Sequence, residues 1–257
     1  IYIDGRRTER GDCSGPQSAR NVLLSPFVDA AVLETARGGI IREGLAFRYC
    51  DVAVVTNIEG GDHLDLHDIN TVEKLAAVKR SIVEAVAPTG TAVLNAQDQL
   101  VADMAALCPG SVCYFSSGDA NVLIRQHCEK GGRSLYVRDK RIILAQDGRE
   151  TPFLALDTIP LTHGGTIRFQ IENALASIGA AWALGLPLEQ IAAASEKFAA
   201  DFTTVPGRFN VVRMNGSTII VDYGHNPSSL EAIIAALSNY GHKHRMAIYS
   251  TAGDYDL

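Results

Sequence analysis

The chain has 257 residues, of which 47% are apolar and 20% charged, and its formal net charge is −6. This composition is typical of a folded globular protein with room for one domain and part of a second. The modest negative charge gives no support to a nucleic-acid or membrane-surface partner, and no apolar run approaches the ~20 residues that span a bilayer.

Five cysteines are scattered along the chain, and no two of them form a C-x-x-C pair. We therefore expect reduced thiols, no zinc site and a cytoplasmic protein. The first residues lack the basic-then-apolar order of a signal peptide. Because the chain does not begin with Met and ends just after a predicted strand, we expect it to be a fragment of a longer protein.

The first segment with a possible function is a predicted strand, Asp29–Glu34, which follows a predicted glycine-rich and basic loop at residues 5–20. Glu34 ends the strand and precedes the glycine pair Gly38-Gly39. A carboxylate in that position is well placed to hold a cation. The alternative, more common for a lone glutamate at a strand end, is that the side chain is only solvated.

A second predicted strand, Val52–Val55, is an apolar run of the kind that is buried on both faces of a parallel sheet. Asn57 follows it, then two glycines and the sequence Asp62-His63-Leu64-Asp65. Ligands of open α/β sheets bind beyond the carboxyl ends of strands. A histidine flanked by carboxylates there can bind a cation or transfer a proton. A polar loop that caps the next helix explains this segment equally well.

The next helix is predicted from about Val72 to Val86, and its apolar stripe of Leu75, Ile82 and Val86 includes Lys79 at helical spacing. A lysine on a buried stripe is unusual. Its stem can pack while the ammonium reaches solvent. The other interpretation is that Lys79 turns toward the site and carries a modification that makes it negative.

Further predicted strands, Thr91–Asn95 and Val112–Ser116, alternate with helices, and this alternation is typical of a parallel, doubly wound α/β sheet. After residue 120 the pattern changes to short runs separated by turns. We predict a small antiparallel meander from these runs, which are Val122–Ile124, Ser134–Val137, Ile142–Leu144 and residues 153–159.

The remaining third of the chain contains two predicted helices, a linker and the beginning of another domain. Glu172 and Asn173 lie near the start of the first helix, where polar side chains and free N–H groups can face a ligand. Residues 203–208 are predicted to be a linker. Asn215-Gly216 between two β-rich runs is typical of a hairpin. A helix from Ser228 and a strand at Met246–Tyr249 follow, as in an α/β domain.

Taken in chain order, these segments resemble the Mur ligase superfamily of ATP-dependent enzymes that form amide bonds. Each motif alone is weak, but seven in order are specific. The motifs are Glu34, Thr56-Asn57 with Asp62-His63-Leu64-Asp65, Lys79, Asn95-Ala96-Gln97-Asp98, Glu172-Asn173-Ala174-Leu175, Pro206-Gly207-Arg208-Phe209 and Asp222-Tyr223-Gly224-His225-Asn226-Pro227. The resemblance implies a Mur ligase central domain at 1–204, without its P-loop segment, and the beginning of a Rossmann-like C-terminal domain at 205–257.

Within the superfamily the chain resembles the cyanophycin synthetase family, at Cys13–Ala19, Leu33–Ile40, Phe169–Leu175 and Pro206–Val211. That resemblance implies ATP and Mg²⁺, a poly-aspartate (cyanophycin) primer and L-arginine as substrates, and a homo-oligomeric full-length enzyme. ATP would phosphorylate an aspartate β-carboxylate, and the arginine α-amine would attack the acyl phosphate. The phosphate-binding sequence G-x-x-G-K-[ST] is absent, so we expect this fragment alone to be inactive. Asp65 replaces the glycine expected in many cyanophycin synthetases.

The resemblance also implies roles for individual residues. The catalytic and metal-binding set would be Glu34, His63 and Lys79, the last matching a lysine that many Mur ligases carbamylate. Asn173 would face the adenine. The other nucleotide-binding positions would be Asn57, Arg208, Asp222, His225 and Asn226, of which His225 and Asn226 would line the interdomain cleft.

Two other functions agree with the same residues. One is a related ligase of the Mur or folylpolyglutamate type, with another acidic acceptor such as a peptidoglycan precursor or a folate. The other is a Mur-like module without catalysis that acts as a scaffold. A P-loop lysine missing from the native upstream sequence would favour the scaffold.

Overall fold

The computed structural model describes residues 1–11, 13–58 and 69–250. The predicted site residue His63 and the rest of the sequence Asp62-His63-Leu64-Asp65 lie outside these described residues. The strands are β1 Tyr2–Ile3, β2 Arg6–Arg7, β3 Cys50–Val55, β4 Val86–Asn95, β5 Ser111–Ser116, β6 Arg133–Arg138, β7 Arg141–Gln146, β8 Arg149–Ala155, β9 Asn210–Met214 and β10 Ser217–Val221. The α-helices are α1 Pro16–Leu23, α2 Arg37–Glu43, α3 Val72–Lys79, α4 Ser81–Glu84, α5 Gln99–Asp103, α6 Val122–Glu129, α7 Arg168–Ala183, α8 Leu188–Lys197 and α9 Pro227–Leu237.

The largest sheet has six strands in the order β3-β4-β5-β6-β7-β8. The pairs β3–β4, β4–β5 and β5–β6 are parallel, and the pairs β6–β7 and β7–β8 are antiparallel. The predicted parallel α/β sheet with a small antiparallel extension is therefore confirmed. The carboxyl ends of the four parallel strands lie at one edge of this sheet, where the sequence predicts a ligand site.

Helices cover both faces of the sheet, because successive side chains of each strand point to opposite sides. Leu94 packs with α3, α5 and α6 in one buried cluster. Its neighbour Val93 packs with α7 and α8 in another. A strand buried on both faces has no polar alternation, which is why the central strands are continuous apolar runs.

The predicted strand Asp29–Glu34 is wrong, because these residues form no strand. A strand requires a neighbour that satisfies its backbone N–H and C=O groups. The backbone hydrogen bonds on either side of this segment join Val28 to Ser25 and Ala36 to Ser14. None of these four residues belongs to a strand. Val32 is fully exposed. Glu34 therefore lies in an extended connection between α1 and α2, and not at the end of a strand.

Three other boundaries also differ from the prediction. Residues 122–124 begin α6 and not a strand, because the side chain of Asn121 accepts a hydrogen bond from Ile124 N and caps a helix. The helix predicted from Val72 to Val86 divides into α3 and α4 and ends at Glu84, so Val86 already belongs to β4. The predicted loop at residues 5–20 includes the first residues of α1, where Pro16 occupies the first turn.

The last described part of the chain contains the predicted hairpin, β9–β10, with Asn215 and Gly216 both at positive φ. Such a turn needs residues that tolerate positive φ, and asparagine and glycine do so best. Helix α9 follows as predicted. The predicted strand Met246–Tyr249 is wrong, since residues 241–250 contain no strand. Its apolar side chains are largely exposed, so an apolar sequence alone did not produce sheet pairing there.

None of the helices in the described ranges is long and apolar enough to cross a membrane.

Candidate functional site

The buried amide of Asn95 joins the ends of two parallel strands. Asn95 ends β4 and is 5% exposed. Its Nδ2 donates to the carbonyl of Thr56, 2.9 Å away, and its Oδ1 accepts from Gln97 N, also at 2.9 Å. A buried amide is stable only when its donors and acceptors are paired. Asn95 therefore holds the segment after β3 against the segment after β4.

Asp98 adds a second connection between the same two segments. It is 3% exposed, and one carboxylate oxygen accepts from Ile58 N while the other accepts from Val101 N and caps α5. An aspartate at a helix N-cap satisfies N–H groups that the helix leaves unpaired. The backbone just beyond β3 is thus fixed at Thr56 and Ile58, on either side of the predicted site residue Asn57.

Lys79 reaches this same point. It lies in the last turn of α3, half-buried, and its Nζ donates to the backbone carbonyl of Asn57 across 3.5 Å. The contact is long for a hydrogen bond. It nevertheless places the ammonium at the carboxyl end of β3, as expected if Lys79 turns from the apolar stripe toward the site.

Glu34, the third residue of the predicted metal-binding set, lies on the connection before α2. It is exposed and lies three residues before α2, and α2 packs against α3. Glu34 also borders a cavity of about 470 Å³ whose polar lining includes Ser14, Ser18 and Asp29. Within residues 1–11, 13–58 and 69–250, no three His, Cys, Asp or Glu side chains cluster closely enough to hold a metal ion. The described residues thus do not form a complete metal site.

A polar network connects the strand ends to α7. Ser117 follows β5, and its Oγ lies 2.7 Å from Oε1 of Gln97 and 2.9 Å from Oε1 of Glu172. Glu172 also pairs with Arg168, one helical turn earlier on α7, at 3.0 Å. The first half of α7 is therefore fixed beside the carboxyl ends of β4 and β5.

Asn173, the predicted adenine-binding residue, is exposed on that half of α7. Its Nδ2 donates to Oε1 of Gln170 across 3.1 Å. Asn173 is four residues after Phe169, so the two side chains lie on the same face of the helix. Because the ring of Phe169 packs against Phe209, that face is directed toward the last part of the chain.

Arg208 and Asp222 lie together in that last part. The guanidinium of Arg208 is exposed and stacks over the ring of Tyr223, 5.4 Å from its centroid. The carboxylate of Asp222 accepts from Phe209 N at 2.8 Å and from Gly224 N at 2.7 Å. Asp222 therefore fixes the backbone immediately after Arg208 and immediately after Tyr223. The guanidinium remains available for an anion.

His225 and Asn226 continue this surface at the start of α9. The ring of His225 packs against Tyr223, with centroids 5.2 Å apart. Asn226 is the N-cap of α9, and its Oδ1 accepts from Ser229 N at 2.8 Å in a capping box. These contacts give Asn226 a structural role, which the sequence pattern did not separate from the predicted role in binding.

Sequence reasoning assigned no individual role to the half-buried His163 or to the buried residues Gln170 and Phe209. The imidazole of His163 packs edge-on against Phe209, and burial lowers the pKa of this histidine. Phe209 has no exposed surface, although its backbone φ is +51°. A bulky residue at positive φ is uncommon and marks a constrained position. In the sequence Phe209 belongs to the motif Pro206-Gly207-Arg208-Phe209, but nothing there indicated its positive φ or its burial.

Comparison with known families assigns the fold and its two parts. The family model described as the Mur ligase middle domain matches residues 14–181, and the model described as the Mur ligase glutamate ligase domain matches residues 207–256. The chain belongs to the Mur ligase family. Neither model covers residues 182–206, so the domain boundary at 204/205 stays a prediction.

This Mur ligase family chain is also similar to curated proteins named cyanophycin synthetase. It is 40% identical over 253 residues to the protein from Nostoc sp., which covers 98% of this chain and 28% of that protein. It is 41% identical over 254 residues to the protein from Synechocystis sp., covering 99% of this chain and 29% of that protein. The chain thus spans less than a third of the length of these relatives.

Among solved structures, the chain resembles MurF from Acinetobacter baumannii with a TM-score of 0.62. The match covers 90% of this chain and 47% of that one at 21% sequence identity. At 21% sequence identity this similarity establishes the fold of the present chain, and it does not establish its substrates or its site residues.

Proposed function

We propose that this chain is the nucleotide-binding and amide-forming part of an ATP-dependent ligase that adds L-arginine to aspartate β-carboxylates of a poly-aspartate backbone. The observation that carries the proposal is 40% identity to a cyanophycin synthetase across 98% of the chain. Two features of the structure support it. Lys79 contacts the backbone of Asn57 just beyond β3, and the exposed Asn173 lies on α7 one turn after Phe169, whose ring packs against Phe209.

The residues present fit a nucleotide. The exposed amide of Asn173 offers a donor and an acceptor, which is how asparagine recognises the edge of adenine. The exposed guanidinium of Arg208 suits phosphate oxygens, which it can bind through two parallel N–H groups. The contact between Phe169 and Phe209 holds α7, which carries Asn173, against the segment that carries Arg208. We therefore propose that the base lies against α7 and the phosphates lie toward Arg208.

The proposed reaction has two steps. The γ-phosphoryl group of ATP is transferred to a side-chain carboxylate of the poly-aspartate, giving an acyl phosphate and ADP. The α-amine of arginine then attacks the acyl carbon, the amide C–N bond forms, inorganic phosphate leaves and the amine loses a proton. Both reactants of the first step are anionic, so the chain must position them and compensate their charge.

Glu34 fits one position in a magnesium site. Mg²⁺ in such enzymes is held by one or two carboxylates together with waters and substrate phosphates, and it neutralises charge on the transferred phosphoryl group. Glu34 is an exposed carboxylate before α2, and α2 packs on the helix that carries Lys79. We propose that Glu34, His63 and Lys79 would hold the ion, Lys79 only in its carbamylated form, because an ammonium has no lone pair for a cation. His63 lies outside the described residues.

The decisive experiment measures ADP release by the full-length parent protein. We expect release from Mg-ATP only when a poly-aspartate primer and arginine are both supplied. Glu34→Ala should abolish incorporation of labelled arginine, while Glu43→Ala, an exposed carboxylate at the end of α2, should leave it unchanged. Release with a folate or a peptidoglycan precursor in place of the primer would overturn the substrate assignment. Absence of release with every acceptor would instead favour a scaffold without catalysis.

A further inference from the structure

We propose that Gln170 is a positioning residue, which fixes the amide of Asn173 in the orientation that reads adenine. This inference rests on the proposed nucleotide site and extends it to a buried residue of the Phe169–Leu175 segment to which the resemblance assigns no role.

Gln170 occupies an unusual position for an amide. It is 3% exposed and lies on the buried stripe of α7, between Ile167, which is fully buried, and Ala174. A leucine would fill such a position without burying a polar group, whereas a buried amide costs free energy unless it is hydrogen-bonded. The presence of glutamine therefore indicates that its amide has a hydrogen-bond partner with a role in function.

That group is the side chain of Asn173. The two residues are three positions apart, so their side chains are neighbours on the helix surface. Oε1 of Gln170 accepts from Nδ2 of Asn173 across 3.1 Å, a normal length for an N–H···O bond. Gln170 is buried and Asn173 is exposed. The buried inner amide has less room to move than the exposed one, so the hydrogen bond restrains the side chain of Asn173.

The restraint determines what Asn173 presents to a ligand. With one hydrogen of Nδ2 held by Gln170, the amide cannot rotate by 180° without placing its oxygen against another oxygen. The remaining N–H and the carbonyl oxygen Oδ1 are then offered outward as an ordered donor and acceptor. Adenine carries the matching pair, an acceptor at N7 and a donor at N6. Hypoxanthine has a carbonyl oxygen at position 6 and lacks that donor.

The test compares ATP with inosine triphosphate (ITP) in the full-length parent protein, with arginine incorporation as the readout. Gln170→Leu removes the acceptor, and Gln170→Glu keeps it. Gln170→Met is a second apolar variant in case the leucine variant does not fold. Ser177→Ala is the matched control, because Ser177 Oγ donates to the backbone carbonyl of Asn173 and not to its side chain.

We expect Gln170→Leu to raise KM for ATP about five- to tenfold, the effect of one hydrogen bond, with kcat unchanged within about twofold. The preference for ATP over ITP should fall by the same factor. In Gln170→Glu, KM for ATP and the ATP/ITP preference should both stay within about twofold of wild type. Ser177→Ala should leave both unchanged. A purely structural role predicts a lower melting temperature with no change in the ATP/ITP ratio.

Asn173→Ala separates this inference from the proposed function. If that variant raises KM for ATP but neither Gln170→Leu nor Gln170→Met alters the ATP/ITP ratio, the role of Gln170 is overturned and the adenine site stands. If Asn173→Ala leaves KM for ATP unchanged, the adenine site is wrong, and the role of Gln170 is wrong with it.

Discussion

The imidazole of His163 and the ring of Phe209 meet edge to face, with their centroids 5.3 Å apart and their planes at 81°. His163 lies just before α7, and Phe209 lies just before β9, so this contact joins the two parts of the chain matched by different family models. Phe169 adds a second edge-on contact to the same ring. Phe209 therefore connects the proposed adenine-binding helix with the segment that carries Arg208.

We expect Phe209→Ala to destabilise the chain strongly, because the ring is fully buried in a small cluster with Ile167 and Ala236. Truncation of a buried phenylalanine costs about 3–5 kcal/mol of unfolding free energy. Phe209→Leu keeps most of the apolar volume and should cost below about 2 kcal/mol. Urea denaturation measures both. Equal losses would contradict the prediction, because they would show that the apolar volume retained by leucine does not contribute, alanine and leucine sharing the same strain at positive φ.

His163 should make stability depend on pH. Burial lowers its pKa, and its Nε2 is buried with no hydrogen-bond partner in the described part of the chain. The folded state therefore takes up a proton less readily than the unfolded state, whose histidine pKa is about 6.5. Above about pH 7.5 the histidine is neutral in both states and has no effect. Below about pH 6.5 the unfolded state binds the extra proton, so stability is lost as the pH falls.

His163→Asn provides the comparison for this prediction. Asparagine tolerates the left-handed backbone of this residue, whose φ is +52°. It does not titrate, so the decrease in unfolding free energy between pH 7.5 and pH 5.5 should be smaller in the variant than in the wild type. Carboxylates contribute equally to both proteins and cancel. Identical pH slopes in urea denaturation would contradict the assignment.

The sequence predicted the parts of the fold that depend on local pattern. Continuous apolar runs such as Val52–Val55 predicted strands buried on both faces, and Asn215-Gly216 predicted a hairpin. The prediction from sequence failed where strand pairing or helix capping decides the secondary structure. The run at Asp29–Glu34 has the residues of a strand, but strand formation depends on a neighbour, which composition does not specify. At 122–124 the side chain of Asn121 caps a helix and outweighs the β-branched residues.

The candidate site divides in the same way. The rule that ligands bind beyond the carboxyl ends of parallel strands directed attention to Asn57, and the apolar stripe and the family resemblance directed it to Lys79. The structure brings Nζ of Lys79 to the backbone carbonyl of Asn57. Gln170 and Asn95 lie in segments that carry the family resemblance, but their roles could not be assigned, because these depend on which groups a buried amide meets in three dimensions. For Gln170 the sequence offered two signals, a glutamine within an apolar helical stripe and a place in the Phe169–Leu175 segment.

Asn95→Ala should reveal how strongly the strand ends are joined. The variant leaves the carbonyl of Thr56 and the N–H of Gln97 without their present partner, and each unsatisfied buried group costs about 1–3 kcal/mol. Asn95→Asp keeps the acceptor for Gln97 but places an anion against the carbonyl of Thr56, so it should also destabilise the fold. Urea denaturation measures both variants. Wild-type stability in both would show that the amide does not hold β3 to β4.

Lys79→Ala in the full-length parent should reduce arginine incorporation by at least about 100-fold, the usual effect of removing one group that stabilises developing charge. The reason is the position of its Nζ beside the backbone of Asn57. Arg80→Ala is the matched control. Arg80 is the adjacent cation, and it pairs with Glu84 in an exposed i,i+4 ion pair of small energetic value. It should retain full activity.

The same variant tests whether Lys79 acts as a carbamate. Carbamylation converts the side chain from a cation to an anion, so a small carboxylate can replace it in the space left by alanine. We expect formate or acetate to restore part of the activity of Lys79→Ala and to have no effect on Arg80→Ala. A failure of rescue combined with substantial activity in Lys79→Arg would show that the residue acts as a cation. Arginine keeps the positive charge but is not carbamylated, so the two variants separate the two chemical forms of this side chain.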